Sequence, residues 1–240
     1  RTRLAATGEV AQDVSYIIEF DIAQAQARFV DVWMQFSDTL CGNLRIGRYR
    51  QPFGMAELTS VRELPFLERP LTFALAPFRQ TGVMLFDHSH DERMTWYLSG
   101  YRYLSDNFGN VYADAGGYGA ATRLTYLPID HGDCGLVHLG VDYSYNDPGN
   151  DLVQYVSTNE FAGGQNPTLG PGGLSVLPLD GVPPFVNTGA MPTQRTNLLN
   201  VEGAVSWGRL LVQSEARWAR VDQVGGVTNT FPGAYAHVRY

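Results

Sequence analysis

Apolar and polar residues alternate along most of the chain. A period of two, with one apolar and one polar face, is typical of β-strands. Eleven stretches of this kind predict strands, at roughly 1–9, 14–23, 28–36, 43–50, 81–86, 93–103, 118–127, 136–146, 196–207, 209–221 and 233–240. The alternation also predicts the side chains that share a face, with Val14, Tyr16, Ile18, Phe20, Val137, Leu139, Val141 and Tyr143 outward and Glu19, Asp21, His138 and Asp142 inward.

The connections between the predicted strands alternate in length. Short turns are expected near 10–13, 37–42, 87–92, 128–135 and 208, and longer connections at 51–80, 104–117, 147–195 and 222–232, with 24–27 as an exception. Short turns at one end and long loops at the other are typical of antiparallel transmembrane β-barrels. We therefore predict that residues 1–240 are part of a single β-barrel domain, in which 147–195 is a long external loop. A soluble β-sheet has the same period of two, so a soluble or surface β-sheet ligand-binding module is the alternative.

Composition and motifs narrow the function further. No stretch of about 18 apolar residues is present, so no transmembrane helix is predicted. All 17 basic residues are arginine, and the net charge of -7 argues against a nucleic-acid partner. The sequence holds neither a Gly-x-Ser-x-Gly nor a His-Glu-x-x-His motif, so we predict no enzymatic activity, no cofactor and no metal site.

The odd number of predicted strands indicates that the complete barrel has more strands than these residues supply. An open eleven-stranded sheet would leave two unpaired edges in lipid, which the hydrocarbon region does not tolerate. Bacterial single-chain barrels also have even strand numbers. We therefore expect further strands, and a targeting segment, outside these residues.

Residues 51–80 form the most unusual connection. Connections longer than about 12–15 residues without regular structure are usually functional. Folded into a barrel, this segment would line the lumen with arginine, whose guanidinium group matches phosphate and carboxylate oxygens. Rings of arginine are one device by which pores select anions. The predicted anion-attracting residues of this constriction loop are Arg62, Arg69 and Arg79, with Arg48 and Arg50 near its base.

The same arginines have a structural alternative. Acidic residues are interspersed among them at Glu57, Glu63 and Glu68, which could pair with the arginines and brace the loop. The inner faces of the predicted strands add charges of both signs to the expected lumen: Arg45, Arg123, Arg217, Glu19, Asp21, Asp31, Asp142, Glu202 and Glu215.

Short motifs in the right order carry a family resemblance. They include Gln51-Pro52-Phe53-Gly54, Glu57-Leu58-Thr59-Ser60, Phe66-Leu67-Glu68-Arg69, Thr81-Gly82-Val83 and Leu139-Gly140-Val141-Asp142-Tyr143. With these the chain resembles the phosphate-selective porin O and P family of bacterial outer-membrane channels. The resemblance implies a porin-like barrel of sixteen strands when complete, assembled as a homotrimer. Phosphate-selective members combine arginine with lysine in the lumen, and this chain departs from them in having no lysine.

The resemblance and the strand pattern together predict a channel of the bacterial outer membrane. It would let small hydrophilic solutes diffuse passively, with a preference for anions such as phosphate. Its partners would be outer-membrane lipid, the solutes and further copies of the chain. A structural outer-membrane barrel without a transport role is a second alternative.

Overall fold

Twelve antiparallel strands form one sheet in the computed structural model, which describes residues 3–22, 28–66, 68–103, 116–157 and 185–240. The strands are β1 Arg3–Ala11, β2 Val14–Asp21, β3 Arg28–Thr39, β4 Gly42–Arg50, β5 Arg79–His88, β6 Met94–Arg102, β7 Tyr118–Asp130, β8 Leu136–Asp147, β9 Leu152–Val153, β10 Met191–Trp207, β11 Leu210–Gln223 and β12 Thr228–Arg239. The all-β antiparallel architecture is therefore confirmed.

In the residues that the structure describes, helical structure is limited to short turns. An α-helical turn, α1, covers Met55–Leu58, and 3-10 turns cover Val61–Glu63, Leu71–Leu75 and Gly132–Cys134. Among the described residues, no helix combines the length and the apolar character needed to cross a membrane.

The sheet has a simple up-and-down order. Each strand pairs with the next one in the chain, except that β8 pairs with β10 and the two-residue β9 pairs with the first residues of β10. The strands β1 and β12 are the edges of this order.

Apolar side chains occupy the outer face of the sheet and polar side chains its inner face. In β8, Val141 is 43% exposed, whereas the next residue, Asp142, is 1% exposed. Across the ladder, Val201 lies opposite Val141 and is exposed, and Asn200 lies opposite Asp142 and is buried. Residues opposite each other point to the same face, so the pattern continues from strand to strand. The orientation predicted for β8 is confirmed.

One predicted long connection is a tight turn. Residues 222–232 were expected to form a loop, but β11 continues to Gln223 and β12 begins at Thr228. Gly225 and Gly226 have φ values of 97° and 89°, which glycine adopts at little cost. These two glycines let the chain reverse over four residues, so the alternation of short and long connections is less regular than predicted.

The predicted external loop 147–195 is also shorter at its C-terminal end. Strand β10 begins at Met191, and β9 pairs with Met191 and Pro192. A further bridge joins Val156 to Asn187. Residues 158–184 of this predicted loop lie outside the described part of the chain.

A buried apolar cluster joins residues 51–78 to the sheet. Its members come from that segment, from strands β6, β7, β9, β10 and β11 and from residues beside them: Phe53, Leu75, Ala76, Tyr101, Tyr103, Ala121, Val153, Tyr155, Met191, Leu198, Ala219 and Val221. The cluster lies at the end of the inner face at which the segment starts. Polar groups of the segment instead form hydrogen bonds with the strands.

Candidate functional site

The connection between β4 and β5, residues 51–78, packs against the inner face of the sheet and is called the inner segment below. The Gly54 N–H donates to Asp142 Oδ2 of β8 at 2.8 Å, and the Ala56 N–H donates to Glu215 Oε1 of β11 at 2.7 Å. The first N–H groups of a helix lack partners within the helix, and carboxylates satisfy them well. The strands thus fix the start of α1 on the polar inner face of the sheet, which is called the wall below.

Gly54 is required at this contact for two reasons. Its φ of 77° lies in the left-handed region, which favours glycine. A Cβ atom at this position would overlap the Glu57 carboxylate and the Arg217 guanidinium. Backbone and wall can approach this closely only because residue 54 has no side chain.

Two arginines satisfy the carbonyl groups at the other end of α1. Arg50 Nη1 donates to the carbonyls of Glu57, Leu58 and Thr59 at 3.0–3.1 Å. Arg69 donates to the carbonyls of Ala56 and Thr59 at 3.0 Å. The C-terminal end of a helix carries partial negative charge, so these guanidinium groups stabilise the turn.

A network of buried charges lies between the inner segment and the wall. Arg217 is 1% exposed and donates to Glu57 Oε1 at 2.5 Å, to the Thr72 carbonyl at 2.8 Å and to Glu215 Oε2 at 3.3 Å. Asn200 donates to Asp142 and accepts from Arg217, so it links the part of the network around Arg217 to the part around Asp142. Each of these partners matters, because a buried charge without a partner is strongly destabilising.

The second half of the network lies deeper in the wall. Arg123 Nη1 donates to Glu202 Oε2 at 2.9 Å and lies 3.5 Å from Asp142 Oδ1. His138 Nε2 lies 2.8 Å from Glu202 Oε1. Across both halves, the four carboxylates of Glu57, Asp142, Glu202 and Glu215 face only two guanidinium groups, and the Gly54 and Ala56 N–H groups supply further donors.

Five of the charges expected in the lumen are consequently buried. They point inward but lie in ion pairs covered from solvent: Arg123, Arg217, Asp142, Glu202 and Glu215. Asp31 accepts from Nε and Nη2 of Arg79, each at 3.0 Å. These six charges are held in ion pairs rather than free to line an open passage.

The remaining expected lumen charges lie on β2 and β4. Glu19 and Asp21 are half-buried, with Arg3 at 3.3 Å and 3.8 Å respectively. Arg45 donates to Gln35 at 2.6 Å and lies over the Trp33 ring at 4.2 Å.

The five arginines predicted at the constriction have different environments. Arg62 is exposed, whereas Arg69 and Arg79 are buried. Arg79 is the first residue of β5 and not part of the connection, because the β4 and β5 ladder extends to the pair Arg50 and Arg79. Arg48 is half-buried in β4, opposite Thr81 and Val32.

Glu57, offered above as a brace that could pair with an arginine of its own segment, has a different partner. This residue pairs with Arg217 of β11, 160 residues away in the chain. Glu63 is exposed and Glu68 is half-buried. The Glu57 carboxylate therefore braces the segment against the wall, a contact for which the sequence offered no local signal.

Asn200 and Tyr235 also belong to the site, although sequence analysis did not select them. Tyr235 donates to Glu215 Oε1 at 2.5 Å. Both residues occupy inner-face positions that can be read from strand alternation, since Asn200 lies two residues before Glu202. The polar residues Thr196, Asn200 and Glu202 at inner positions of β10, interrupted by Leu198, would have been the signal.

In a comparison with known protein families, the first part of the chain finds a match. Residues 1–166 match the family model described as phosphate-selective porin O and P. No curated protein matches the chain. The matched residues include the inner segment, whereas Glu202, Glu215 and Arg217 lie beyond them.

Proposed function

Because the chain belongs to the phosphate-selective porin O and P family, we propose that it forms a channel of the bacterial outer membrane for passive diffusion of small hydrophilic solutes. We further propose that it prefers anions, of which phosphate is one. The complete channel would be a closed barrel of sixteen strands in a homotrimer. The family is one of channels, and no catalytic role is proposed.

The distribution of side chains between the two faces is the observation that carries this proposal. Lipid-facing residues of an outer-membrane barrel are apolar and its interior is polar. The exposed Leu124, Val141 and Val201 lie side by side on β7, β8 and β10, while Asp142 and Asn200 are buried on the other face. A sheet of a water-soluble protein would expose the polar face instead.

The inner segment supports the proposed anion preference. Arg62 is exposed on its 3-10 turn, where a passing anion could reach the guanidinium group. Arg50 contributes positive charge near the base of the segment, since its hydrogen bonds go to neutral backbone carbonyls. Charges in a confined, low-dielectric opening raise the local concentration of counter-ions. Arg69, which is buried and donates to backbone carbonyls, would act through this field, whereas the charge of the buried Arg79 is paired with Asp31.

Replacing Arg62 with Gln should lower the anion-to-cation permeability ratio by roughly twofold in dilute salt. The change should shrink in concentrated salt, because the screening length falls from about 30 Å at 0.01 M to about 3 Å at 1 M. Reversal potentials across a planar bilayer under a salt gradient measure the ratio. Glu63→Gln is the matched control, since this exposed neighbour has the opposite charge and should shift the ratio upward. Equal reversal potentials for both variants and the parent at low salt would remove Arg62 from the selectivity mechanism.

Replacing Val141 with Arg should destabilise the protein in lipid by about 2–4 kcal/mol if the outer face contacts the centre of the bilayer. Leu210→Arg is the control, because Leu210 is also exposed but begins β11 beside a short turn, where the expected cost is about 0–1 kcal/mol. Denaturant titration in lipid vesicles measures both free energies. Equal costs at the two positions would argue for a sheet that faces water.

A folded, membrane-inserted protein without ion current would instead support a structural barrel.

A further inference from the structure

Three aromatic rings run from the inner segment onto the inner face of β12. Tyr235 and His237 are stacked, with ring centroids 5.9 Å apart and planes 6° apart. Phe66 meets His237 edge to face, at 5.7 Å and 90°. The Tyr235 hydroxyl is held by Glu215 at 2.5 Å and by Gln213 at 2.7 Å. Phe66, His237 and Tyr235 are called the aromatic strip below.

Part of the aromatic strip is exposed to solvent. Phe66 is 63% exposed, in contrast with Phe53 and Phe78 of the same segment, which are buried. His237 and Tyr235 are half-buried, and they lie opposite Gln213 and Glu215 on the inner face. A single exposed ring is ordinary, but contiguous exposed apolar surface rimmed by polar residues is typical of ligand-binding sites. Phe66, His237 and Tyr235 form such a contiguous surface, with polar Gln213 and Glu215 beside it.

Two exposed arginines lie close to the aromatic strip in sequence. Arg62 precedes Phe66 by four residues in the same bend of the inner segment, and Arg239 follows His237 by two residues in β12. Alternation along the strand gives Arg239 the same face as His237. Within the described part of the chain, neither positive charge is neutralised by a carboxylate.

We infer that the aromatic strip with Arg62 and Arg239 forms a binding site for ring-bearing anions, of which aromatic carboxylates are the simplest class. The ring of such a solute would pack on the exposed face of Phe66, because aromatic pairs gain energy beyond their buried area. Its carboxylate would meet the guanidinium groups, which match it in shape and charge. This inference rests on the proposed function, and it adds a preference among anions that charge alone does not give.

Benzoate, cyclohexanecarboxylate and acetate separate the ring from the charge. Each carries one carboxylate, but only benzoate has an aromatic face, and cyclohexanecarboxylate matches its size. In a planar bilayer with chloride as the current carrier, benzoate should block reversibly at a concentration about two- to tenfold lower than cyclohexanecarboxylate. Phe66→Leu should remove this difference while leaving the chloride current, and Phe66→Tyr should retain it. Tyr126→Leu, at an exposed ring outside the aromatic strip, should also retain it.

The outcomes distinguish the inference from the function on which it rests. Absence of any ion current would overturn the proposed channel. A normal anion-preferring current with equal block by benzoate and cyclohexanecarboxylate would overturn the ring site alone. A parent preference for benzoate that survives Phe66→Leu would also overturn it. Arg62→Gln should weaken block by both acids to the same extent, because it removes charge and leaves the ring contact.

Discussion

Replacing Arg217 with Leu is expected to detach the inner segment from the wall and to destabilise the folded protein by about 3–5 kcal/mol. The guanidinium group is the shared partner of Glu57 from the segment and Glu215 from β11. Its loss would leave both carboxylates buried without that partner, which is the costly way to break a buried ion pair. The segment would move toward water to hydrate Glu57, and the open-channel conductance should change with it.

Two measurements check this prediction. Denaturant unfolding in detergent micelles, followed by tryptophan fluorescence, gives the loss of stability, and single-channel recording gives the conductance. Arg220→Leu is the matched control, because Arg220 lies on the same strand with a side chain that is 59% exposed and paired with Asp222. An exposed pair contributes only about 0–1 kcal/mol. Similar losses for the two variants would mean that the buried network does not fix the inner segment.

Replacing Gly54 with Ala should have the second largest effect, with a loss of at least about 2 kcal/mol. The substitution leaves every charge in place but adds a Cβ atom that overlaps Glu57 and Arg217. It also introduces a non-glycine residue at a φ of 77°. The start of α1 should therefore move away from Asp142 and Glu215, and the conductance should change in the same direction as in Arg217→Leu.

The control for Gly54 isolates the steric overlap from backbone strain. Gly225 has a φ of 97°, but a Cβ atom there would meet nothing within 4 Å. Gly225→Ala should therefore cost only the backbone strain, about 1–2 kcal/mol, and leave the conductance unchanged. Unfolding and single-channel measurements on both variants make the comparison. If Gly54→Ala leaves the conductance at the value of the parent, the close approach at Gly54 does not set the aperture.

The two substitutions test one contact by independent means, one by removing charge and the other by changing shape. A shared change in conductance would identify the inner segment as the element that sets the width of the passage. The same contact also explains why acidic side chains are tolerated in the wall. Asp142 and Glu215 accept hydrogen bonds from backbone N–H groups of α1, so the segment itself helps to satisfy them.

The strands and their faces are determined by the sequence itself. Alternation is a local property, because successive side chains of a strand point to opposite sides whatever the strand pairs with. It was enough to predict the outward Val141 and the inward Asp142 of β8, but not that Asp142 is buried in an ion pair. Ends of strands were predicted less well, as the early start of β10 at Met191 and the tight turn at Gly225 and Gly226 illustrate. Pairing with a neighbouring strand extended these elements beyond the apolar pattern.

The partners of each charge were decided only by the tertiary structure. Sequence proximity suggested that Glu57 pairs with arginines of its own segment, but the fold brings it to Arg217. Arg79 likewise belongs to a strand and binds Asp31 of β3. An ion pair depends on the distance between side chains in space, and here strand register and the path of the inner segment set that distance. The chain thus encodes its faces locally, whereas burial of Arg69 and exposure of Arg62 follow from how the segment packs on the wall.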